Sequence, residues 1–167
     1  LELLKRAKEN PVGKNNEYDA DRYAAVLTLV KEKSGWGKPE HSGKKRGVAA
    51  YFCHNSYAAH VVDIVMKNGQ PYVERVFSAI DCGIVINPDA AINMVQGAVV
   101  DGIGNAFYGG LTHKEGRVVQ NNFHSYRIIR MNETKTLADW SARLKLADVP
   151  DQVRDYAKRF ILEGRTN

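Results

Sequence analysis

The sequence predicts an α+β fold: an antiparallel sheet with a buried helix packed across it, N-terminal helices before it and a C-terminal helical hairpin after it. Three observations carry this prediction. Two β-patterned runs flank Asn68-Gly69, the strongest short hairpin signal a sequence offers. Asn87-Pro88 opens a long stretch that is apolar on nearly all sides. Both ends of the chain carry apolar residues at helical spacing instead of strand alternation.

In chain order, Leu1, Leu3, Leu4 and Ala7 form the apolar side of a short amphipathic helix that Asn10-Pro11 ends. Asp19 suits the N-cap of a second helix, with Ala20, Tyr23, Ala24, Leu27 and Val30 as its apolar stripe, Val26 at its margin and Gly35 as its stop. This helix reads as a packing element. The glycine-rich segment 34–43 reads as a surface loop. Strands are expected over 46–52, over 57–66 with alternation at Ala59, Val61, Asp63 and Val65, and over 72–80 after the hairpin.

Ile84-Val85-Ile86 reads as a continuation of that last strand past a kink at Gly83. Asn is a favoured N-cap, and Pro suits the first helical position because its missing N–H would be unpaired there anyway, so a helix is expected from Pro88 to about Phe107. Its all-round apolar character predicts burial, with Asn93, Gln96, Asp101 and Asn105 as the conspicuous polar side chains. A hairpin with its turn at Lys114-Glu115-Gly116 follows, and residues 127–131 read as a further strand of a sheet spanning 46–131. Capping-box-like Thr136-Leu-Ala-Asp139 and Asp148-Val-Pro150 open two terminal helices. The expected domain limits are a helical segment over 1–37, an α+β domain over 38–133 and a helical tail over 134–167.

At 167 residues the chain can bury one real core, and its composition of 44% hydrophobic and 26% charged residues is that of an ordinary globular protein. The net charge of +5 is dispersed. Lys44-Lys45-Arg46 lacks interleaved aromatics, so it reads as a solvated loop before a strand and no nucleic-acid partner is expected. No membrane span or signal peptide is expected, and bacterial cytoplasm and periplasm both stay open.

Cys53 and Cys82 show no CxxC or zinc spacing and read as small buried residues. A nucleophilic Cys82 would need a base, and the sequence ties no histidine to it. His41, His54, His60, His113 and His124 are scattered, without paired spacing. Gly97, Gly102 and Gly104 form neither a phosphate loop nor a dinucleotide fingerprint. Each weakens an isolated helix by about 1 kcal/mol relative to Ala, so either another element or a cofactor approaches that backbone closely. Helix packing is the reading that the glycines alone favour, and Gln96 adds weight to the cofactor, because a buried amide needs hydrogen-bond partners and a heterocycle supplies both a donor and an acceptor.

The order Asp81-Cys82-Gly83-(x)3-Asn87-Pro88-(x)7-Gln96-Gly97-(x)4-Gly102-Ile103-Gly104-(x)3-Tyr108 resembles the signature of the molybdenum-binding large subunits of the xanthine dehydrogenase and aldehyde oxidase family. Gly116-Arg117-Val118-(x)2-Asn121-Asn122-Phe123-His124-Ser125-Tyr126 continues it. Ser34-Gly35-Trp36-Gly37 and Arg130-Met131-Asn132-Glu133 look like the isoquinoline 1-oxidoreductase β-subunit branch. The resemblance covers about residues 1–133.

It implies a piece of an oxidoreductase that hydroxylates N-heterocycles or aldehydes with oxygen from water. It also implies molybdopterin in the intact enzyme but none on this piece alone, with the remainder of the large subunit and an iron–sulfur electron-transfer subunit as partners. A homo-oligomeric interaction module of the same fold is the alternative. By resemblance, Gln96 and its neighbour Gly97 lie near the pterin, while Asp81, Gly83 and Asn87-Pro88 shape the backbone. No catalytic residue is assigned: by resemblance the family's base is a glutamate in a Gly-x-Gly-Glu motif nearer the C-terminus, and this chain has none, Gly102-Ile103-Gly104 being followed by Asn105. Residues 134–167 weakly resemble the start of the 2-methylcitrate dehydratase family.

Overall fold

The computed structural model describes residues 1–10, 18–39 and 43–130, and the chain divides into two compact units, Leu1–Ile84 and Val85–Asn167. The α+β class holds. The two terminal helices expected beyond residue 135 lie outside the described residues.

The first unit contains α1 (Glu2–Glu9), α2 (Ala20–Ser34) and three antiparallel strands, β1 (Lys45–Cys53), β2 (Ser56–Lys67) and β3 (Gln70–Asp81), in the order β1-β2-β3. Helix α2 begins where the Asp19 carboxylate accepts the N–H groups of Asp21 and Arg22, at 2.9 and 3.2 Å, and ends where Gly35 turns left-handed at φ 67°. It is the helix that lies on the sheet in this unit, against β2 and β3. Val26 and Val30 of α2 meet Tyr57, Ala59 and Val61 of β2 and Ala79 of β3 to make the core. Val26, at the margin of the predicted stripe, is thus central to it.

Period-2 alternation sends Tyr57, Ala59, Val61 and Asp63 to the α2 side of β2, where all four are fully buried. Asp63 is tolerated there because the Arg46 guanidinium donates to both its oxygens, at 2.7 and 3.2 Å. Lys44-Lys45-Arg46 is therefore not a solvated loop: Lys44 pairs with Glu74 at 2.6 Å, Lys45 opens β1 and Arg46 holds Asp63. Asn68-Gly69 makes the expected tight turn with both φ values positive, 52° and 76°. His54-Asn55 does the same between β1 and β2, at 48° and 56°.

In the second unit, α3 (Pro88–Tyr108) starts at the expected residue, with the Asn87 side chain accepting the Ala90 N–H at 3.0 Å and Pro88 in the first turn. A two-stranded hairpin follows, β4 (His113–Lys114) and β5 (Arg117–Val118), turning through Glu115 and Gly116 at φ 53° and 75°. The Gln120 side chain closes its base, accepting the Thr112 N–H at 2.8 Å and donating to the Thr112 hydroxyl at 3.0 Å.

Four expectations are corrected here. β3 ends at Asp81 and residues 84–86 are not strand, since Gly83 sits at φ 77° and breaks the ladder. Residues 127–130 form no strand, so the sheet has three strands and the later hairpin is separate. Cys82 and Cys53 are both exposed, not buried. Finally, α3 is not enclosed: Gly104 is its only buried residue, and Met94 is 76% exposed.

Candidate functional site

The predicted site residues lie mid-way along α3, and helical geometry separates them. At 100° per residue Gln96 shares a face with Ile92, Val99 and Ile103, all half-buried, whereas Gly97, itself exposed, lies on the next face round with the exposed Asn93 and Asp101, the half-buried Val100 and the buried Gly104. Gln96 thus belongs to a partly covered apolar stripe and Gly97 to a mixed face that is packed at Gly104.

The three glycines also differ from one another. A Cβ on Gly104 would lie 3.0 Å from Cβ and Cγ2 of Ile129, so any side chain there would have to push Ile129 back by a few tenths of an ångström. A Cβ on Gly97 or Gly102 would meet nothing within 4 Å. Among the described residues no packing contact accounts for those two glycines, and both are exposed. The helix's C-terminal end is ordered by Arg127, whose guanidinium stacks 3.9 Å above the Tyr108 ring, and by Asn105, which donates to Asp101 at 3.3 Å.

In the first unit, Asp81 is more than a strand end. Its carboxylate takes two hydrogen bonds from Arg22, at 2.9 and 2.7 Å, and accepts the Gly83 N–H at 3.0 Å. The Arg22 bonds hold the Asp81 carboxyl below the usual carboxylate range, with the Gly83 bond adding to the effect. Arg22 also reaches Asn55 at 3.2 Å and lies 4.7 Å over the Tyr57 ring, and the Tyr57 hydroxyl accepts the Asp19 N–H at 2.6 Å. This cluster ties the N-terminus of α2 to the β1–β2 turn and to the Gly83 bend.

Reasoning from sequence missed Arg22 and Tyr57, because 59 and 38 residues separate the bonded partners and no local pattern announces them. Of the histidines, His60 is half-buried with Nδ1 2.8 Å from the Ser78 hydroxyl, and burial lowers its pKa. His54, His113 and His124 are exposed, and His41 lies outside the described residues. Among the described residues no three His, Cys, Asp or Glu side chains converge on a possible metal position, and no helix is long and apolar enough to cross a membrane.

Helix α3 is thus opened by Asn-Pro, carries Gln-Gly at mid-length and packs a glycine against Ile129 near its end. Residues 7–135 match the molybdopterin cofactor-binding domain family, and the chain belongs to it.

Within that family the chain is 28% identical over 117 residues to the isoquinoline 1-oxidoreductase subunit beta of Brevundimonas diminuta, a match covering 67% of this chain and 15% of that protein. It is 32% identical over 79 residues to the nicotine 6-hydroxylase large subunit of Paenarthrobacter nicotinovorans, covering 47% of this chain and 10% of that protein. The chain thus spans a small part of the length of the relatives it matches.

Proposed function

We propose that this chain is a domain-sized piece of a molybdenum hydroxylase large subunit, of the kind that hydroxylates N-heterocycles or aldehydes, and that it is inactive alone. The observation that carries this reading is the open backbone at Gly97 beside Gln96, on a helix whose motif order matches the family's. A cofactor-contacting glycine needs that bare surface, and the described packing makes no use of it.

Gln96 would present its amide donor and acceptor to the molybdopterin, and Gly97 would let the ring system approach the helix backbone. Bound molybdopterin supplies the redox chemistry. This chain contributes positioning, because the Gly-x-Gly-Glu motif that the family carries nearer its C-terminus does not occur in these residues. The remaining contacts would come from the rest of the large subunit, and electrons would leave through an iron–sulfur subunit. We place the functional domain at 38–133, with 1–37, whose helix α2 packs on the sheet, and 134–167 on either side of it.

The test is to purify the chain alone and together with a polypeptide supplying the missing large-subunit domains, then measure molybdenum and pterin in each. Cofactor retention only in the complemented sample, lost on Gln96→Ala, is the expected result. Stoichiometric molybdenum with turnover of an N-heterocycle by the chain alone would overturn its status as an inactive piece. Undiminished retention in Gln96→Ala would overturn the role of Gln96.

A second reading, a non-catalytic oligomerising module, draws on the exposure of Met94 at 76% beside the open glycines of α3. It predicts a stable oligomer in which this helix face is buried against a partner chain.

A further inference from the structure

The two outer strands of the three-stranded sheet are guarded very differently. An edge strand presents a row of unpaired main-chain N–H and C=O groups, and soluble proteins blunt such edges with proline, charge or a bulge. β3 carries all three devices: Pro71, the charges of Glu74 and Arg75, and a register shift in its pairing with β2 opposite Asp63 and Ile64. β1 carries charge only at its first two residues, Lys45 and Arg46, and neither of the other two devices. It pairs with β2 in unbroken register from Lys45 to Cys53, has no proline, and has no charge after Arg46. Among the described residues β2 is the only strand paired to it. Val48 and Tyr51 are 47% and 69% exposed along it, and a Cβ on Gly47 would meet nothing within 4 Å.

We infer that the outer edge of β1 is a strand-pairing interface, and that its partner is β1 of a second copy of this chain, antiparallel and centred on Ala49. Strand addition to a bare edge supplies hydrogen bonds to the whole row of outward main-chain groups. Three features of the β1 sequence select a second copy and this register.

The charges come first: Lys45 and Arg46 sit together at one end of the strand, so a parallel pair would stack them against their equivalents. The antiparallel pair places the two Lys45 residues about 26 Å apart at 3.3 Å per residue, beyond the screening length of about 8–10 Å. The second feature is shape. Pairing about Ala49 sets Tyr51 opposite the partner's Gly47 on the same sheet face, where an aromatic ring covers the bare glycine of the neighbouring strand. The third is the symmetry point itself, where a small, uncharged, exposed alanine faces its own copy. The product is one continuous sheet made of two three-stranded halves.

The experiment is sedimentation equilibrium of the full chain from micromolar to sub-millimolar concentration, with the variants Ala49→Lys and Ala49→Glu run singly and mixed. Both variants lie on an exposed edge, and circular dichroism confirms that each retains the wild-type spectrum. Like charges directly opposite one another destabilise a strand pair and opposite charges support it.

The wild-type chain is therefore expected to approach twice the monomer mass as concentration rises. Each variant alone is expected to stay at the monomer mass, and the equimolar mixture to regain the doubled mass. A wild-type chain that stays monomeric throughout would overturn the proposal. A monomer that instead takes up an extended segment of a larger subunit would do the same. Doubling that survives in either single variant would place the interface elsewhere, for example on α3, and a mixture that fails to reassociate would refute the register.

Discussion

Replacing the α3 glycines one at a time separates what the helix needs for itself from what it keeps free. Gly97→Ala adds a methyl group where nothing lies within 4 Å and removes the propensity cost of a mid-helix glycine, about 1 kcal/mol. Gly104→Ala gains the same propensity term but drives its methyl to 3.0 Å from Ile129, and such overpacking costs about 1–3 kcal/mol. The first substitution should stabilise α3 and the second should leave it unchanged or weaken it.

Hydrogen exchange of the α3 amides reads this directly, since about 1 kcal/mol of added local stability slows exchange through local opening roughly fivefold. In a complemented enzyme the order inverts for function: the methyl at Gly97 occupies the surface proposed for molybdopterin, and cofactor retention should fall. Faster exchange in Gly97→Ala, or equal slowing in both variants, would refute the packing difference assigned to the two glycines. Undiminished cofactor retention in Gly97→Ala would remove the reason for keeping that position bare.

Three further outcomes are expected. Asp63→Ala removes the buried carboxylate that pairs with the Arg46 guanidinium and should cost about 3 kcal/mol in chemical denaturation, while replacing both members with apolar residues of similar volume should recover most of the loss. Tyr57→Phe removes the hydroxyl that accepts the Asp19 N–H and should cost about 1 kcal/mol with little change in the core, measurable as a lower thermal midpoint.

Acid should loosen the first unit in two steps. His60 has its pKa lowered in the folded chain, so its contribution is complete above about pH 6.5 and is lost as pH falls through the lowered folded value. The Asp81 pKa is also lowered, chiefly by Arg22, so its contribution is complete above about pH 4 and is lost as pH falls through its own folded value. A denaturant midpoint that does not respond to Asp81→Asn at neutral pH would show that the Arg22 pair carries no stability.

The elements themselves were legible because their signals are local. Asp19 and Asn87 cap helices with their own side chains, Gly35 and Asn68-Gly69 adopt left-handed backbone that few other residues tolerate, and the Ala59, Val61, Asp63 alternation states which side of β2 is covered. The family was legible for a related reason, since motif order and spacing are properties of the chain alone.

Burial was not, because it depends on what lies opposite a surface. The all-round apolar character of α3 reads as an interior helix, yet only Gly104 is buried. The same gap hid the Arg22–Asp81 and Arg46–Asp63 pairs, whose members the sheet brings together across 59 and 17 residues. Local backbone preferences and the family were therefore written in the sequence. The choice of which charges meet, which glycine is packed shut and which strand edge stays open belonged to the tertiary structure, because each depends on neighbours remote along the chain.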